Sequence, residues 1–369
     1  MENCWEQLGE DTVLEFSEWM RRYFLDSTFL LSTSIQKHSI TNYYNSLSID
    51  KKNTTVIEGA FKETETFLKA LEDVTMCLVY FMIVPKFVRN FPGIRWYSQR
   101  LKNQLNWMRN SVCNIAKARR EEIEKTPEDQ ELTKDMLTMF LTINTSRDIT
   151  ERIADSLHDK PMTDDKTIIN FVEIMAGGIG TSTQSICFLI HYLSNYPRVK
   201  EKLVEEFDRV LGKDPDYKIT YEDMSKLEYC DAVINECARI FTIVPAIPRI
   251  NSNPDELGGF KFPAKTQFIL NIQGVHKHKS LWENPEEFIP ERFMEKDDKS
   301  IKGFLYNFGG GLRKCPGRIL AMMEIKFTLA MLYRKYDVEL VNMNAPIKTY
   351  VTTFRVCKEL KLRIKKRKI

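Results

Sequence analysis

A glycine-rich segment around Cys315 carries the residue types that metal ligation requires. Over residues 308–317, three consecutive glycines precede Arg313 and Cys315, and a proline and Gly317 follow. A cysteine binds a metal as its thiolate, which ligation and a following helix N-terminus both favour. Consecutive glycines permit a tight turn that a flat ligand can approach closely. The segment therefore predicts a metal ligand at Cys315, with a buried cysteine beside a turn as the alternative.

A second group of residues has the spacing of a charged network. Glu236 and Arg239 lie three residues apart, on one face of the helix predicted over residues 229–241. Such a pair is common on protein surfaces and by itself contributes little to stability. Downstream, residues 288–293 read Phe-Ile-Pro-Glu-Arg-Phe and supply Arg292 as a further cation.

A third feature lies midway along the longest predicted helix, over residues 163–195. Gly177, Gly178 and Gly180 precede Thr181 there, and each glycine costs about 1 kcal/mol relative to alanine. Close approach to a flat ligand explains that cost, and a seam of small residues between packed helices is the alternative. The Thr181 hydroxyl can donate a hydrogen bond to the carbonyl oxygen of Gly177.

The segment around Cys315 matches the haem-thiolate signature Phe-x-x-Gly-x-Arg-x-Cys-x-Gly at every defined position. The matching residues are Phe308, Gly311, Arg313, Cys315 and Gly317. Through this motif the chain resembles the cytochrome P450 family from near residue 1 to its C-terminus. The resemblance implies that haem b (iron protoporphyrin IX) is the cofactor and that Cys315 is the axial ligand of its iron. It also implies that Phe308 packs beneath the ring and that Arg313 binds a haem propionate.

The same resemblance assigns a structural role to the charged residues. Glu236, Arg239 and Arg292 correspond to the family's Glu-x-x-Arg helix and Pro-Glu-Arg-Phe segment, which implies a buried network behind the haem. Arg249 follows two prolines and matches the position of a second propionate-binding arginine. An exposed loop arginine is the alternative for Arg249.

The resemblance places Thr181 on the oxygen side of the haem as a catalytic residue, and Gly177 as a point of close approach to the ring. In relatives an acidic residue precedes this threonine, and the two help to deliver protons during oxygen activation. Here Gly180 stands in place of the acid. The departure predicts slower oxygen activation or leakage of peroxide.

Composition excludes several classes of protein. The 54 basic and 51 acidic residues leave a net charge of +3, which argues against a nucleic-acid partner. Eight cysteines in 369 residues favour reduced thiols over a disulfide framework. The first residues lack the basic and apolar regions of a signal peptide, and the apolar run at residues 76–84 is too short to span a membrane. His-Lys-His at residues 276–278 alternates like a metal site, but without further ligands nearby it is interpreted as a strand end.

Hydrophobic periodicity predicts a mainly α fold with a small β region. Predicted helices cover residues 13–31, 61–74, 101–125, 163–195, 198–211 and 229–241, and another begins at Pro316. Residues 259–263 and 266–272 are predicted to form a hairpin, and residues 338–341 and 351–356 to add edge strands. The basic tail at residues 365–368 is interpreted as a frayed terminus.

The prediction for the whole chain is one haem-binding domain over residues 1–369, with a cytochrome P450 fold that lacks the N-terminal region of the family. The resemblance implies a monooxygenase that oxidises a lipophilic small molecule. Its electrons would come from NADPH indirectly, through NADPH–cytochrome P450 reductase. The expected location is the cytosolic face of the endoplasmic reticulum membrane, with residues 76–88 touching the membrane surface.

Two alternative functions remain open on the sequence. The missing acid at Gly180 is compatible with a haem-thiolate isomerase or dehydratase that rearranges peroxides and needs no external oxygen. A non-catalytic haem-binding protein is the other alternative. The substrate is not predicted, because a fold alone does not determine one.

Overall fold

The computed structural model describes residues 1–47, 54–150, 160–214, 216–294, 303–343 and 345–367. Most of these residues are helical, and the strands are short. The prediction of a mainly α fold with a small β region is therefore confirmed. The chain divides into two compact units, one comprising Met1–Leu8 and Glu18–Thr183, the other Gly9–Ser17 and Gln184–Ile369. A single domain over the whole chain stays a prediction.

Helices build the first unit. They are α1 (Glu2–Leu8), α2 (Phe16–Thr33), α3 (Ser39–Leu47), α4 (Thr54–Ile83), α5 (Lys86–Arg89), α6 (Ile94–Lys125) and α7 (Met136–Thr142). The long helices α4 and α6 pack along each other. Trp19, Phe24 and Phe29 of α2 are fully buried. Because residues five apart point to different sides of a helix, α2 is covered on more than one side.

Helix α8 (Asp164–Asn195) has 32 residues, as many as α6, and lies close to the range predicted from the sequence. Thr163 precedes it, and its carbonyl oxygen accepts a 2.9 Å hydrogen bond from the amide N–H of Thr167. Asp164 and Asp165 lie in the first turn, where the helix dipole favours negative charge. A proline begins the next helix directly after Tyr196.

The second unit contains shorter helices and the strands. Its helices after α8 are α9 (Pro197–Leu211), α10 (Tyr221–Ser225), α11 (Glu228–Ile240), α12 (Ile272–His276) and α13 (Arg318–Lys335). The strands are β1 (Leu14–Glu15), β2 (Ala246–Ile250), β3 (Asp255–Leu257), β4 (Phe260–Phe262), β5 (Gln267–Asn271), β6 (Tyr336–Leu340), β7 (Thr349–Val351), β8 (Arg355–Cys357) and β9 (Lys361–Lys366). All pairings are antiparallel: β1–β9–β6 form one sheet, and β2–β5, β3–β4 and β7–β8 form pairs.

The predicted hairpin between residues 259–263 and 266–272 is wrong in its pairing. Strand β4 pairs instead with β3 across Gly258 and Gly259, whose φ angles are 59° and 83°. Two residues with positive φ form the turn that best matches the twist of paired strands, and glycine adopts it without strain. Strand β5 is thereby left to pair with β2.

The interpretation of the basic tail, residues 365–368, as a frayed terminus is wrong for residues 365–367, and Lys368 lies outside the described residues. Residues 361–366 form β9, the middle strand of the three-stranded sheet. Leu362 and Ile364 are buried on one face of this strand. Alternating apolar and basic residues are typical of a strand with one buried face, and burial of the apolar residues holds the strand in place.

Candidate functional site

The segment around Cys315 forms a loop that its own backbone closes. The amide N–H of Cys315 donates to the carbonyl oxygen of Phe308 at 2.8 Å, and that of Lys314 donates to Gly311 at 3.3 Å. A third bond runs from the amide N–H of Gly309 to the carbonyl oxygen two residues before Phe308, at 3.0 Å. Cys315 is thus held at the end of a tight bend.

The glycines of this loop differ in backbone conformation and in position relative to the thiol. Gly309 and Gly311 have φ angles of 72° and 65°, a region that other residues enter only with strain. Gly317 has a φ of −82° and caps the N-terminus of α13. A Cβ atom at Gly317 would lie 3.9 Å from the Cys315 sulfur, an ordinary van der Waals contact, so this position is directly next to the thiol.

Cys315 differs from the other cysteines in its exposure. All eight are described, none is in a disulfide, and Cys315 is the exposed one. Leu312 is 104% exposed and Ile319 is 71% exposed on either side of it. Large apolar side chains next to an exposed thiol are typical of a ligand-binding surface. The donor and its surroundings therefore fit an apolar, flat cofactor.

The helix behind the thiol begins later than the sequence predicts. It starts at Arg318, while Pro316 and Gly317 form a turn, so the prediction that Pro316 is the first helical residue is wrong. Gly317, with φ of −82° and ψ of 6°, is the residue that precedes the helix. The Cys315 sulfur still lies just before a helix N-terminus, where negative charge is favoured.

Two arginines near this loop have no carboxylate partner. Arg313 is exposed in the short 3-10 turn at Gly311–Arg313. Arg249 lies partly exposed on β2 and donates to the adjacent carbonyl oxygen of Pro248 at 2.9 Å. Within the described ranges neither guanidinium group forms an ion pair. Both are therefore available to an anionic ligand such as a haem propionate.

Strand β2 lies against the Cys315 loop. The Cδ1 atom of Ile247, two residues before Arg249, is 4.0 Å from the position of a Cβ atom at Gly309. Antiparallel pairing with β5 holds this strand in register, with Arg249 opposite Phe268. The fold thus brings the strand that carries Arg249 to the loop that carries Arg313 and Cys315.

Glu236, Arg239 and Arg292 meet in one buried network. The Nε and Nη2 atoms of Arg239 each donate to the Glu236 carboxylate at 2.8 Å. The Nε atom of Arg292 donates to Oε1 of Glu236 at 3.1 Å. The backbone N–H of Ile289 donates to the same oxygen at 2.9 Å. Glu236 and Arg239 are fully buried, which is tolerable because the charges are paired and hydrogen-bonded.

Arg239 extends this network to the backbone downstream of α12. Its guanidinium donates to the carbonyl oxygens of His276 at 3.0 Å, Pro285 at 2.6 Å and Glu287 at 3.1 Å. Arg292 donates to the carbonyl oxygen of Glu283 at 3.0 Å. The two arginines therefore hold an irregular segment to α11 without a regular sheet or helix.

His276 is a further site residue that the sequence did not identify. The interpretation of residues 276–278 as a strand end is wrong, since His276 ends the short helix α12. Its side chain is fully buried, and its ring lies between two partners. The Nδ1 atom is 2.9 Å from the Thr242 hydroxyl oxygen, and Nε2 accepts a 2.9 Å bond from the amide N–H of Tyr306. No group of metal-ligating side chains occurs among the described residues.

Gly177 and Thr181 lie on α8, in the first unit. The Thr181 hydroxyl donates to the carbonyl oxygen of Gly177 at 2.6 Å, the bond that the sequence predicts. In the described part of the chain, a Cβ atom at Gly177 or Gly178 would meet no other group within 4 Å. A packing seam would place a neighbouring helix there. The glycines border open space instead, as close approach to a ligand requires.

Comparisons with known proteins agree with this architecture. The sequence matches the cytochrome P450 family over residues 6–365. It is 35% identical over 213 residues to cytochrome P450 71B12 of Arabidopsis thaliana, covering 57% of this chain and 41% of that protein. It is 34% identical over 192 residues to trans-cinnamate 4-monooxygenase of Pisum sativum, covering 51% of this chain and 38% of that protein. The chain thus spans less than half the length of these curated relatives.

A solved structure shows the same fold. The crystal structure of the cytochrome P450DA heme domain superposes with a TM-score of 0.78 at 19% sequence identity. The superposition covers 100% of this chain and 71% of that one. At this identity the likeness concerns the fold alone.

Proposed function

The chain belongs to the cytochrome P450 family, and from this membership we propose that it is a haem-thiolate monooxygenase that inserts one oxygen atom from O2 into a lipophilic organic substrate. The observation that carries the proposal is the exposed Cys315 on its closed loop. The same loop presents Arg313 without a carboxylate partner. A thiol and a cation are thus offered together to one ligand.

Haem b, when bound through a thiolate, supplies oxygen activation, because electron donation from sulfur favours cleavage of the O–O bond. Cys315 provides the sulfur, and the bend that ends at Gly317 leaves room around it. Arg313 and Arg249 would hold the propionates of a bound haem. Phe308, which is half-buried, and the exposed Leu312 would pack against the ring and keep water from the sulfur.

We assign proton delivery to the Thr181 hydroxyl. It now donates to the Gly177 carbonyl oxygen, and breaking that bond frees the proton for transfer. Gly180 leaves no carboxylate next to it, so protons must arrive through hydroxyl groups and water. This limits the rate at which protons reach Thr181.

Gly180 also favours a second candidate function. A haem-thiolate isomerase or dehydratase that rearranges a peroxide needs no proton relay for external oxygen. NADPH consumption with oxygen uptake supports the monooxygenase, whereas turnover of a lipid hydroperoxide without either supports the second candidate. A Gly180→Asp variant further distinguishes the two candidate functions. In a monooxygenase the added carboxylate should raise the amount of product formed per NADPH consumed, whereas an isomerase or dehydratase consumes no NADPH.

The partners follow from surface chemistry. Exposed apolar side chains cluster in and around α5, at Met82, Ile83, Phe87, Phe91 and Trp96. Such a cluster inserts into the interfacial layer of a bilayer, and we assign it to the cytosolic face of the endoplasmic reticulum. Among the described residues, no helix has the length and apolar character needed to cross a bilayer.

Electrons would reach the haem from NADPH through NADPH–cytochrome P450 reductase. The exposed cations Lys314 and Arg318 flank Cys315 and would meet an acidic docking surface. Lys302, another candidate from the sequence, lies outside the described residues.

A reduced, CO-bound difference spectrum of the haem-reconstituted chain tests the proposal. We expect the red-shifted Soret band that thiolate ligation produces in this family, and its loss in Cys315→Ala. Cys113→Ala is the control, because Cys113 lies on α6 in the other unit. A wild-type chain that binds no haem, or a Cys315→Ala variant that keeps the band, would contradict the proposal. A normal band without turnover by either route would indicate a non-catalytic haem protein.

A further inference from the structure

The entrance to the Cys315 loop is fixed at Tyr306, two residues before Phe308. The carbonyl oxygen of Tyr306 accepts the 3.0 Å bond from Gly309 that closes the loop. Its ring lies 3.3 Å from the position of a Cβ atom at Gly310. Its amide N–H points the other way and donates to Nε2 of His276 at 2.9 Å. Tyr306 therefore joins the loop to a side chain outside it.

This junction matters because the three backbone hydrogen bonds that close the loop all lie within residues 306–315. The contact that Ile247 of β2 makes near Gly309 is apolar. A longer side-chain bond, 3.5 Å, joins Asn307 to Asn235 of α11. A segment with three consecutive glycines has many accessible backbone conformations. The 2.9 Å hydrogen bond between the Tyr306 amide and the buried His276 ring, at the entrance to the loop, removes part of that freedom.

The other side of the His276 ring is anchored in the buried charge network. Nδ1 lies 2.9 Å from the Thr242 hydroxyl oxygen, which in turn donates to the carbonyl oxygen of Arg239 at 3.2 Å. Arg239 donates back to the carbonyl oxygen of His276 at 3.0 Å. These bonds form a closed ring of three buried residues. The histidine therefore cannot rotate without breaking bonds at both nitrogens.

The protonation state of His276 follows from its partners. A backbone N–H can only donate, so Nε2 must carry no proton, and the single ring proton lies on Nδ1 and is donated to Thr242. Burial and the adjacent Arg239 cation lower the pKa of His276 to about 4. The ring is therefore neutral near pH 7 and holds one tautomer.

We propose that His276 is a positioning residue that transmits the rigidity of the Glu236–Arg239–Arg292 network to Tyr306, and thereby fixes the bend that presents Cys315 to its ligand. This inference rests on the proposed haem-thiolate function. It goes beyond it by assigning a role to a side chain that touches neither the sulfur nor either arginine offered to the propionates. A histidine that merely filled space would not need an acceptor aimed at Tyr306.

Two substitutions of His276 distinguish the hydrogen bond made by Nε2 from the one made by Nδ1. His276→Gln places an amide oxygen near the position of Nε2 and can still accept from Tyr306. His276→Asn is shorter: it reaches Thr242 and leaves the amide of Tyr306 without an acceptor. His278→Asn is the matched control, because His278 is exposed and its ring nitrogen Nδ1 bonds to nearby Ser280.

Two readouts on the haem-loaded chain are needed. The first is the fraction of the reduced CO complex that shows the thiolate-type Soret band. The second is hydrogen–deuterium exchange of residues 304–315. We expect His276→Asn to exchange there about fivefold faster, the effect of losing one hydrogen bond of about 1 kcal/mol, and to lose much of the thiolate band. His276→Gln and His278→Asn should resemble the wild type in both readouts.

Several results would overturn the inference. One is unchanged exchange and an unchanged band in His276→Asn. Another is an equal loss of the thiolate band, with equally fast exchange, in His276→Gln and His276→Asn. That result would show that the volume of the ring matters and its hydrogen bond to Tyr306 does not. If His276→Asn does not fold, Thr242→Val tests the same chain of bonds, and normal exchange in that variant overturns it. A wild type without a thiolate band contradicts the proposed function instead, while the exchange comparison still decides the role of His276.

Discussion

Burial distinguishes Cys315 from the other cysteines at the scale of single residues. Desolvation, with a contribution from the Asp73 carboxylate, raises the pKa of the Cys77 thiol to about 11. Desolvation also raises the pKa of the Cys230 thiol well above its usual value. Such thiols stay protonated at neutral pH and are poor ligands. Cys315 lies exposed on its loop, so a metal can reach its sulfur directly.

Thr181 is the residue whose substitution tests proton delivery. Thr181→Ala removes the hydroxyl that donates to Gly177, and we expect product formed per NADPH consumed to fall about tenfold, because a positioned proton donor contributes substantially to such steps. Thr181→Ser keeps the hydroxyl and should keep most of the coupling. Product, NADPH and hydrogen peroxide are measured in one reconstituted assay. Equal coupling in Thr181→Ala and the wild type would rule out the assignment.

At the scale of elements, one carboxylate holds α11 to the segment that follows α12. Glu236 accepts hydrogen bonds from Arg239, Arg292 and the backbone of Ile289. In Glu236→Gln two buried guanidinium groups lose their counter-charge. We expect the free energy of unfolding in urea to fall by about 3–5 kcal/mol, the usual cost of breaking a buried ion pair.

The control for this prediction is a surface pair of the same chemistry. Glu63 pairs with Lys37 at 3.2 Å, and both side chains reach solvent. Glu63→Gln should change the unfolding curve little, because exposed ion pairs contribute little to stability. Comparable losses in the two variants would mean that Glu236 does not hold α11 through its charge.

At the scale of the whole molecule, His276 couples stability to pH. Its pKa is about 4 in the folded chain against about 6.5 for an unperturbed histidine. Between these values the unfolded chain takes up a proton that the folded chain does not. Stability is therefore unaffected above about pH 6.5 and falls as pH decreases towards 4, by about 3 kcal/mol at most from this group.

The difference between wild type and His276→Gln isolates this contribution. Burial also lowers the pKa of His191, so the wild type alone would combine two groups. Urea unfolding at a series of pH values from 7 to 4 gives the two curves. We expect the wild type to lose stability more steeply than His276→Gln. Parallel curves would show that His276 does not titrate in this window.

Local features could be predicted from the sequence because neighbouring residues determine them. The bounds of α8 follow from Thr163, two aspartates and a proline, all adjacent in the chain. The bend at Cys315 follows from consecutive glycines, two of which need positive φ. The haem-thiolate signature is likewise one continuous segment, and it was sufficient to identify the family.

Only the tertiary structure decided which distant segments meet. The sequence contains strands at residues 259–263 and 266–272, but a two-residue glycine turn and the register of β2 determined their partners. Residues 365 and 366 of the basic tail belong to a central strand because Leu362 and Ile364 of that strand are buried opposite apolar residues of β6.

His276 illustrates the same limit within the site. Its partners Thr242 and Tyr306 lie about thirty residues away on either side, and nothing in its own neighbourhood indicates them. The sequence by itself determined the ligand loop and the helices, since their hydrogen bonds and dihedral angles are local. The tertiary structure decided strand pairing, burial and the link from the charge network to the loop, because these depend on contacts that short-range patterns do not encode.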